Sequence, residues 1–110
     1  MKLHKLKLKV PAAVKIVVEE QGRVIGRVYV YVLKNDLHRR PFALLEDLFV
    51  DESARNRGLG TALIKAAAAE ARRRKCYKLI GTSRRSRTGL HGFYRRLGFS
   101  LHGVELRMDL

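Results

Sequence analysis

Residues 55–61 read RNRGLGT and stand directly before a run of strong helix formers. The first turn of a helix has backbone N–H groups without acceptors and about half a positive charge. Gly58 and Gly60 have no side chains that would keep an anion away from the backbone, and Arg55 and Arg57 add positive charge. The spacing therefore predicts an anion site, with phosphate as the simplest occupant.

Two common phosphate motifs do not fit this loop. A P-loop needs Lys followed by Ser or Thr after its last glycine, whereas Gly60 is followed by Thr61 and Ala62. A dinucleotide fingerprint needs three spaced glycines, and only two are present. A tight turn that needs glycine for its backbone conformation alone stays open as an alternative reading of the loop.

The residues before the loop predict four strands. Residues 6–10 alternate Leu or Val with Lys, which is typical of a half-buried strand. Residues 14–20 and 23–34 are rich in β-branched and aromatic residues, and Gln21-Gly22 between them indicates a hairpin turn. Residues 42–50 are mostly apolar on both faces, as expected near the centre of a sheet.

The residues after the loop predict two helices and two strands. The first helix has one continuous face of small and apolar residues, with the cations of residues 72–75 in its last turn. Residues 77–83 read as a strand, and a second helix carries an apolar stripe and ends at Gly98. With a final strand over residues 101–110, the order is β-β-β-β-α-β-α-β. The stripe of the second helix is formed by Leu90, Phe93, Tyr94 and Leu97.

This order predicts an α/β fold with a mixed, mostly antiparallel sheet and one parallel pair of strands, since a strand–helix–strand crossover joins parallel neighbours. The length of 110 residues predicts a single domain over residues 1–110. So short a chain buries a limited core, so we expect a homodimer to add stability.

Two segments resemble the GNAT superfamily, the acetyl-CoA-dependent N-acetyltransferases. LEDLFVDESARNRGLGTALI is similar to the family's signature segment, in which Gln or Arg, Gly and Gly or Ala follow a strand that ends in an aliphatic residue; Arg55, Gly58 and Gly60 match it. HGFYRRLGF matches the family's second mark, an aromatic-Tyr pair on a late helix that ends in Gly-Phe. The resemblance covers residues 14–110 and implies the acyl-CoA N-acyltransferase fold, with a splayed parallel pair of strands.

The resemblance also implies acetyl-CoA as the cosubstrate. Its pyrophosphate would lie on the backbone N–H groups of residues 57–61, and its pantetheine arm would bind the open edge of the fourth strand. The cofactor-binding residues expected on this basis are Leu48, Phe49, Val50, Arg55, Asn56, Arg57, Gly58, Leu59, Gly60, Thr61 and Arg87.

Acetylation of an amine needs a base, because an amine with a pKa near 10.4 is mostly protonated at neutral pH. The fourth strand is similar to that of the spermidine/spermine acetyltransferase branch, which by resemblance makes Glu46 the base, acting through water. Asp47 falls on the opposite face in a regular strand and is expected to form a structural ion pair. Tyr94 aligns with the family's general acid. A carboxylate paired with arginine and a core aromatic are the open alternatives for Glu46 and Tyr94.

The charge of the chain bears on the acceptor. Lys and Arg number 24 against 10 Asp and Glu, for a formal net charge of +14. This field attracts anions and repels polyamines, so it favours a primary amine that is borne by an anionic carrier, such as an acidic protein or an RNA. A small amine with an acidic group is the open alternative. A catalytically weak, CoA-binding module for nucleic acid or protein is the alternative function. For the charge itself, an Arg-rich surface that only maintains solubility is the alternative explanation.

The remaining features predict a cytoplasmic protein without metal or membrane partners. No run of about eighteen apolar residues is present, and the basic start lacks the apolar block of a signal peptide. The single cysteine, Cys76, is expected to pack as a small apolar residue, and His4, His38, His91 and His102 show no metal-ligand spacing.

Three departures from the family pattern are visible. The segment KVPAAVK leaves no room for the two helices that usually wall the acceptor site. Arg87 replaces a usual Asn, and Glu52 replaces a usual Pro. We therefore expect an acceptor site that is either open or completed by a partner subunit.

Overall fold

A computed structural model gives the structure of residues 12–82 and 88–110. The described part forms a four-stranded sheet in the order β1-β2-β3-β4, with β3 and β4 parallel and the other neighbours antiparallel. The elements in chain order are β1 (Ala12–Glu20), β2 (Arg23–Leu33), β3 (Phe42–Val50), a 3₁₀ turn (Glu52–Ala54), α1 (Leu59–Arg73), β4 (Leu79–Gly81) and α2 (Thr88–Arg96). The predicted mixed α/β architecture with one parallel pair is confirmed.

The hairpin forms where the sequence predicts it. Gln21 and Gly22 both have positive φ angles, 53° and 75°, which is the conformation of the two-residue turns whose twist matches that of the flanking strands. Glu20 pairs with Arg23 across the turn. The turn therefore sets the register at its own end, and one irregularity between Val18 and Glu19 shifts the rest of the pairing by one residue.

The core lies between the sheet and α1. Val28, Val30 and Val32 of β2 are fully buried, and Leu63 and Ile64 of α1 are 1% exposed. The small residues of the helix, with Ala67 fully buried, allow α1 to approach the strands closely. These contacts hold the start of α1 in place at the end of β3.

The second helix packs on the same side of the sheet as α1. Phe93, Tyr94 and Leu97 pack against the core cluster, and Phe93 lies beside Gly60 at the start of α1. Of the described helices, neither covers the opposite face, where Tyr31 and Phe49 are 37% and 40% exposed. Within residues 12–82 and 88–110, this sheet face is therefore open, which agrees with the expected lack of walling helices.

Two strand predictions need comment. Residues 101–110 have no regular secondary structure, so the predicted final strand is wrong for this structure. A strand requires pairing with a neighbour, and this segment pairs with no strand of the described sheet. Of the described residues in the predicted strand 77–83, only Leu79–Gly81 form β4. The predicted strand at residues 6–10 and the site residue Arg87 lie outside the described residues.

Candidate functional site

The start of α1 leaves its first N–H groups free. Gly58 is the N-cap residue, with φ 76° and no side-chain cap, and the first helical hydrogen bond runs from the Ala62 N–H to the Gly58 carbonyl at 3.0 Å. Helix geometry gives the preceding N–H groups, those of Leu59, Gly60 and Thr61, no acceptor inside the helix. This end of α1 is therefore built to donate hydrogen bonds to an external anion.

The two glycines of the loop have different physical roles. Gly58 adopts the left-handed conformation, and a side chain there would be strained although the space around it is open. At Gly60 a Cβ atom would lie 3.7 Å from Cζ of Phe93, an ordinary contact. The backbone conformation thus requires glycine at position 58, whereas position 60 has room for a small side chain.

The two arginines of the loop are bonded to other parts of the chain. Arg55 donates from Nε to the Val50 carbonyl at 3.2 Å, and Arg57 forms an ion pair with Glu20 at 2.7 Å. The hydrogen bond from Arg57 lowers the pKa of the Glu20 carboxyl. Arg57 therefore brings an acid to the rim of the loop, and its charge is partly balanced there.

A β-bulge interrupts β3 at the acidic pair. Tyr29 pairs with Glu46 and Arg27 pairs with Phe49, so two residues of β3 lie opposite one residue of β2. Asp47 adopts a left-handed conformation with φ 53°. The regular alternation that would place Glu46 and Asp47 on opposite faces is therefore interrupted. Among the described residues Asp47 has no ion pair, so the structural ion pair predicted for it is absent from this part of the chain.

The bulge changes which residues of β3 face the core. Ala43 and Leu45 are buried before it, whereas Leu48 and Val50 pack against the core after it. Glu46 follows Leu45 and lies on the opposite, open face, since successive strand residues alternate. Glu46 therefore lies on the open face directly before the point where β3 changes register.

The parallel pairing of β3 and β4 ends beside Glu46. The last paired residues are Leu45 and Gly81, so residues 46–50 have no described strand on that side. Tyr94 packs at this point from the helix side, with Cε1 3.6 Å from the Cβ position of Gly81 and its ring against Phe99 at 5.3 Å between centroids. Glu46 and Tyr94 thus flank the place where the two strands part, one on each side of the sheet.

The surroundings of Glu46 alter its acidity. Burial raises the pKa of its carboxyl above the ordinary 4.5, and the charges of Asp47 and Glu105 raise it further. A carboxyl that is half-buried and held among other acids binds a proton more readily than an exposed one. Sequence reasoning missed Glu105, because only the tertiary structure brings it near β3.

The open face also carries side chains that sequence reasoning did not assign to the site. Lys15, Tyr29 and Glu46 form one row across three strands, with the Lys15 ammonium 5.5 Å from the Tyr29 ring centroid. Arg27 lies over the Phe49 ring at 4.9 Å in the next row. The Gln21-Gly22 turn alone predicts the pairing of Lys15 with Tyr29 to within one residue. The difference of one residue arises because an irregularity between Val18 and Glu19 shifts the register.

The predicted CoA-binding residues divide into three groups by position. Residues 55–61 form the loop and first turn, Leu48 and Val50 face the core, and Phe49 lies on the open face beside Arg27. Asn56 is exposed and has φ 64°. The structure thus gathers the described residues around the end of β3.

The single cysteine of the chain, Cys76, is not part of this candidate site. Cys76 is buried in the core cluster, as predicted, and burial raises the pKa of its thiol, which makes it a poor nucleophile. Within residues 12–82 and 88–110, no group of three or more potential metal ligands occurs. Neither described helix is long and apolar enough to cross a bilayer.

Comparison with known proteins adds to this geometry. The model of the acetyltransferase (GNAT) family matches residues 2–99. A glucosamine 6-phosphate N-acetyltransferase of Trypanosoma brucei brucei is 38% identical over 90 residues, which is 81% of this chain and 59% of that protein. A similarly named protein of Oryza sativa subsp. japonica is 39% identical over 62 residues, 56% of this chain and 36% of its own length. The chain thus spans less than two thirds of these curated relatives.

A solved structure agrees with the sequence comparison. The crystal structure of an acetyltransferase from Trypanosoma brucei superimposes with a TM-score of 0.82 and 36% identity, covering 89% of this chain and 69% of the other. None of these three proteins is named as a polyamine acetyltransferase, so the similarity of β3 to the spermidine/spermine branch stays a prediction.

Proposed function

The chain belongs to the acetyltransferase (GNAT) family, and on that premise we propose that it transfers an acetyl group from acetyl-CoA to a primary amine. The amine attacks the thioester directly in a ternary complex. The observation that carries this proposal is the position of Glu46 and Tyr94 on the two sides of the gap that opens beyond Leu45 and Gly81. A base on one side of the gap could deprotonate the attacking amine, and an acid on the other side could protonate the departing thiolate of CoA.

The start of α1 is the proposed site for the diphosphate of acetyl-CoA. The uncapped N–H groups at residues 59–61 would donate to it, and the space around the Cβ position of Gly58 is open. The unpaired edge of β3 would hydrogen-bond the pantetheine arm. Because the Val50 carbonyl already accepts from Arg55, we assign most of this pairing to the backbone of Leu48 and Phe49.

Arg55, Asn56, Arg57 and Arg87 complete the proposed phosphate surroundings. Of these, Arg57 would contribute less than its full charge because it is paired with Glu20. The structural description does not reach Arg87, so its role stays a prediction from the family pattern.

Glu46 is the proposed base. It would take a proton from the attacking ammonium, directly or through one water, which is the step that makes the amine nucleophilic. Its raised pKa moves its basicity toward neutral pH and so improves proton transfer. Free backbone N–H groups of the β3 edge would stabilise the negative charge on the carbonyl oxygen.

Tyr94 is the proposed acid for the departing thiolate. It lies on the helix side of the gap against Phe93 and Phe99, which restrains its ring. A phenol with an ordinary pKa near 10 can donate a hydrogen bond to a thiolate and transfer the proton as charge develops. Cys76 is buried elsewhere, which supports direct transfer without an acetyl-enzyme on that residue.

The acceptor is proposed to be an anionic primary amine. The two curated relatives are named for glucosamine 6-phosphate, an amine that carries a phosphate, and the formal charge of +14 favours such a substrate. Lys15 lies two strands from Glu46 in the same row, about 10 Å away at the backbone. An acceptor lying on the open face could therefore place its anionic group near Lys15 and its amine near Glu46.

Acidic protein or RNA-borne amines fit the same charge and stay open as larger acceptors. A cytoplasmic location is part of the proposal and stays a prediction from the sequence.

Thiol release from acetyl-CoA tests the proposal. With glucosamine 6-phosphate, glucosamine and spermidine as acceptors, we expect the phosphorylated amine to react fastest. Glu46→Gln and Tyr94→Phe should each lower the rate by about a hundredfold or more, whereas Glu52→Gln, an exposed acid of the 3₁₀ turn, should retain it. Unchanged rates in both variants would refute the assigned roles. Salt-sensitive RNA binding without thiol release from any amine would instead support the binding-module alternative.

A further inference from the structure

A groove of about 460 Å³ lies beside α1, between this helix and the end of α2. Its described lining contains apolar side chains and cations, and no acid. The apolar side chains, which form its floor, are Ile64, Ala68, Leu97 and Phe99. The cations are Lys65, Arg72 and Arg96. The groove, here called the interhelix groove, is therefore both apolar and positively charged.

The interhelix groove is separate from the proposed diphosphate site. Lys65 and Arg72 lie about 9 Å and about 20 Å beyond Leu59 along the axis of α1, since a helix rises about 1.5 Å per residue. None of the loop residues 55–61 lines the groove. A ligand in the groove would therefore leave the start of α1 free for CoA.

The spacing of residues on α1 explains the groove. Lys65, Ala68 and Arg72 stand at positions i, i+3 and i+7, which lie on one face of a helix. The methyl side chain of Ala68 is short, so it leaves space between the two long cations. Ile64 is 1% exposed and belongs to the core, so the packing of α1 on the sheet holds the floor of the groove in place.

The three cations of the groove are available to a partner. Within residues 12–82 and 88–110, none of them forms an ion pair. Glu70, the single acid of α1, pairs instead with Arg73 and Arg74 at 2.6 and 2.7 Å. The groove therefore presents three positive charges, without described counter-charges, around an apolar floor.

The chemistry of the lining favours a peptide over a nucleic acid. Single-stranded nucleic acids stack their bases on aromatic rings, whereas three of the four apolar residues of the groove are aliphatic. The aromatic one, Phe99, packs its ring against Tyr94 at 5.3 Å between centroids. An aliphatic floor suits the apolar face of an amphipathic helix, which binds through anchors at positions i, i+3, i+4 and i+7.

We propose that the interhelix groove binds an acidic amphipathic helix of another protein. Aliphatic side chains of that helix contact the floor, and its carboxylates pair with Lys65, Arg72 and Arg96. Lys65 and Arg72 are about 10 Å apart along α1, which matches carboxylates seven residues apart on the bound helix. This interaction goes beyond acetyl transfer, because it uses residues that the proposed reaction does not.

Fluorescence anisotropy with two labelled synthetic peptides tests the proposal. The first peptide carries leucines on one helical face and glutamates beside them, and in the second peptide serines replace the leucines. We expect the unaltered protein to bind the leucine peptide with micromolar affinity. The serine peptide should bind about tenfold or more weakly, because it has no apolar surface to bury in the groove.

Matched pairs of variants locate the bound peptide. Ala68→Leu fills the groove without changing the charge and should weaken binding of the leucine peptide by about tenfold or more. Ala69→Leu, an exposed neighbour outside the lining, should retain it. Arg96→Glu should also weaken binding, and more than Arg95→Glu, which makes the same change in net charge outside the lining. Circular dichroism and CoA-induced melting shifts should be unchanged in all four variants.

Other outcomes overturn the proposal. If the leucine peptide does not bind, the groove is not a docking site for such a helix. Equal binding of both peptides would show only the general attraction of a chain with a net charge of +14. Equal affinities in Ala68→Leu and Ala69→Leu would place the peptide elsewhere.

A labelled oligouridylate RNA separates the remaining alternative. Binding of this RNA that is tighter than that of the leucine peptide, and that Arg95→Glu and Arg96→Glu weaken equally, would assign the cations to nucleic acid and overturn the proposal. Thiol release from acetyl-CoA is measured independently of all these titrations. The groove can therefore fail as a docking site while the proposed function stands, and the reverse.

Discussion

The two ends of α1 differ in how their backbone groups are used. The open end comprises residues 46–50 and 55–61, where the strand edge and the first helical N–H groups lack partners in the described structure. The closed end comprises residues 39–43 and 70–78, where the Lys75 and Cys76 carbonyls accept from Arg40 at 2.8 and 3.3 Å. One helix thus has its polar groups satisfied by the chain at one end and left available for a ligand at the other.

The closed end is stabilised by local ion pairs and backbone bonds. Glu70 pairs with Arg73 at 2.6 Å and with Arg74 at 2.7 Å, and the Tyr77 N–H donates to the Pro41 carbonyl at 2.9 Å. Cations near the C-terminus of a helix also suit its dipole. Substitutions at the closed end should therefore change the free energy of unfolding, whereas substitutions at the open end should change CoA binding and catalysis.

The largest effect expected on CoA binding is at Gly58. Gly58→Val forces a β-branched residue into a left-handed conformation, so the loop must rearrange and CoA affinity should fall by about tenfold or more, a change of about 1.4 kcal/mol. Gly60→Ala is the matched control, since its Cβ meets only an ordinary contact, and it should bind normally. Titration calorimetry measures both. Equal affinities in the two variants would break the comparison.

A smaller effect is expected from Arg40→Ala at the closed end. It removes two hydrogen bonds to backbone carbonyls and should lower the free energy of unfolding by about 1 kcal/mol, with CoA affinity unchanged. Arg39→Ala, an exposed neighbour, should change neither quantity. Urea denaturation and calorimetry on the same samples provide the measurements. A loss of CoA affinity in Arg40→Ala would show that the two ends are coupled.

The next prediction concerns the pH dependence of the open end. A raised pKa keeps Glu46 protonated, and therefore inactive as a base, to higher pH, so the acid limb of kcat/KM should lie above the ordinary 4.5. Asp47→Asn and Glu105→Gln each remove a charge that raises this pKa, so both should move the limb to lower pH. Asp47→Asn should move it further, because Asp47 is the larger cause. A limb that does not move in either variant would refute Glu46 as the base.

The smallest expected effect concerns Glu70. Hydrogen bonds from Arg73 and then Arg74 lower the pKa of its carboxyl to about 2 from 4.5. A depressed pKa in the folded state contributes stability that is present above pH 4.5 and is lost as the pH falls toward 2. Melting temperatures of Glu70→Gln should therefore decline less steeply over this range than those of the unaltered protein. Parallel curves for the two proteins would show that the exposed ion pairs contribute nothing.

Local patterns predicted much of the fold. The Gln21-Gly22 turn, the apolar face of α1 and the end of α2 before Gly98, which has φ 100°, each depend on a few neighbouring residues. The segment 101–110 shows the limit of such patterns. Its alternation is that of a strand, yet strand formation needs an edge to pair with, which the alternation cannot supply.

The candidate site was predictable in part. The glycine loop was found because left-handed glycine and a helix start are local features, whereas the bulge at Asp47 was missed because the opposing strand decides it. The pairing of Arg57 with Glu20 joins residues 37 apart in the chain. Charge alone could not single out that partner.

The amino-acid sequence by itself determined the turns, the helix faces, the glycine loop and the strongly positive charge, since these follow from backbone preferences and composition. The tertiary structure alone decided that Glu46 and Tyr94 flank one gap, that Glu105 raises the pKa of Glu46, and that one sheet face is open in the described part of the chain. The physical reason is that local periodicity determines on which face of a helix or strand a residue lies. Packing between segments that are distant in the sequence determines which residues that face contacts.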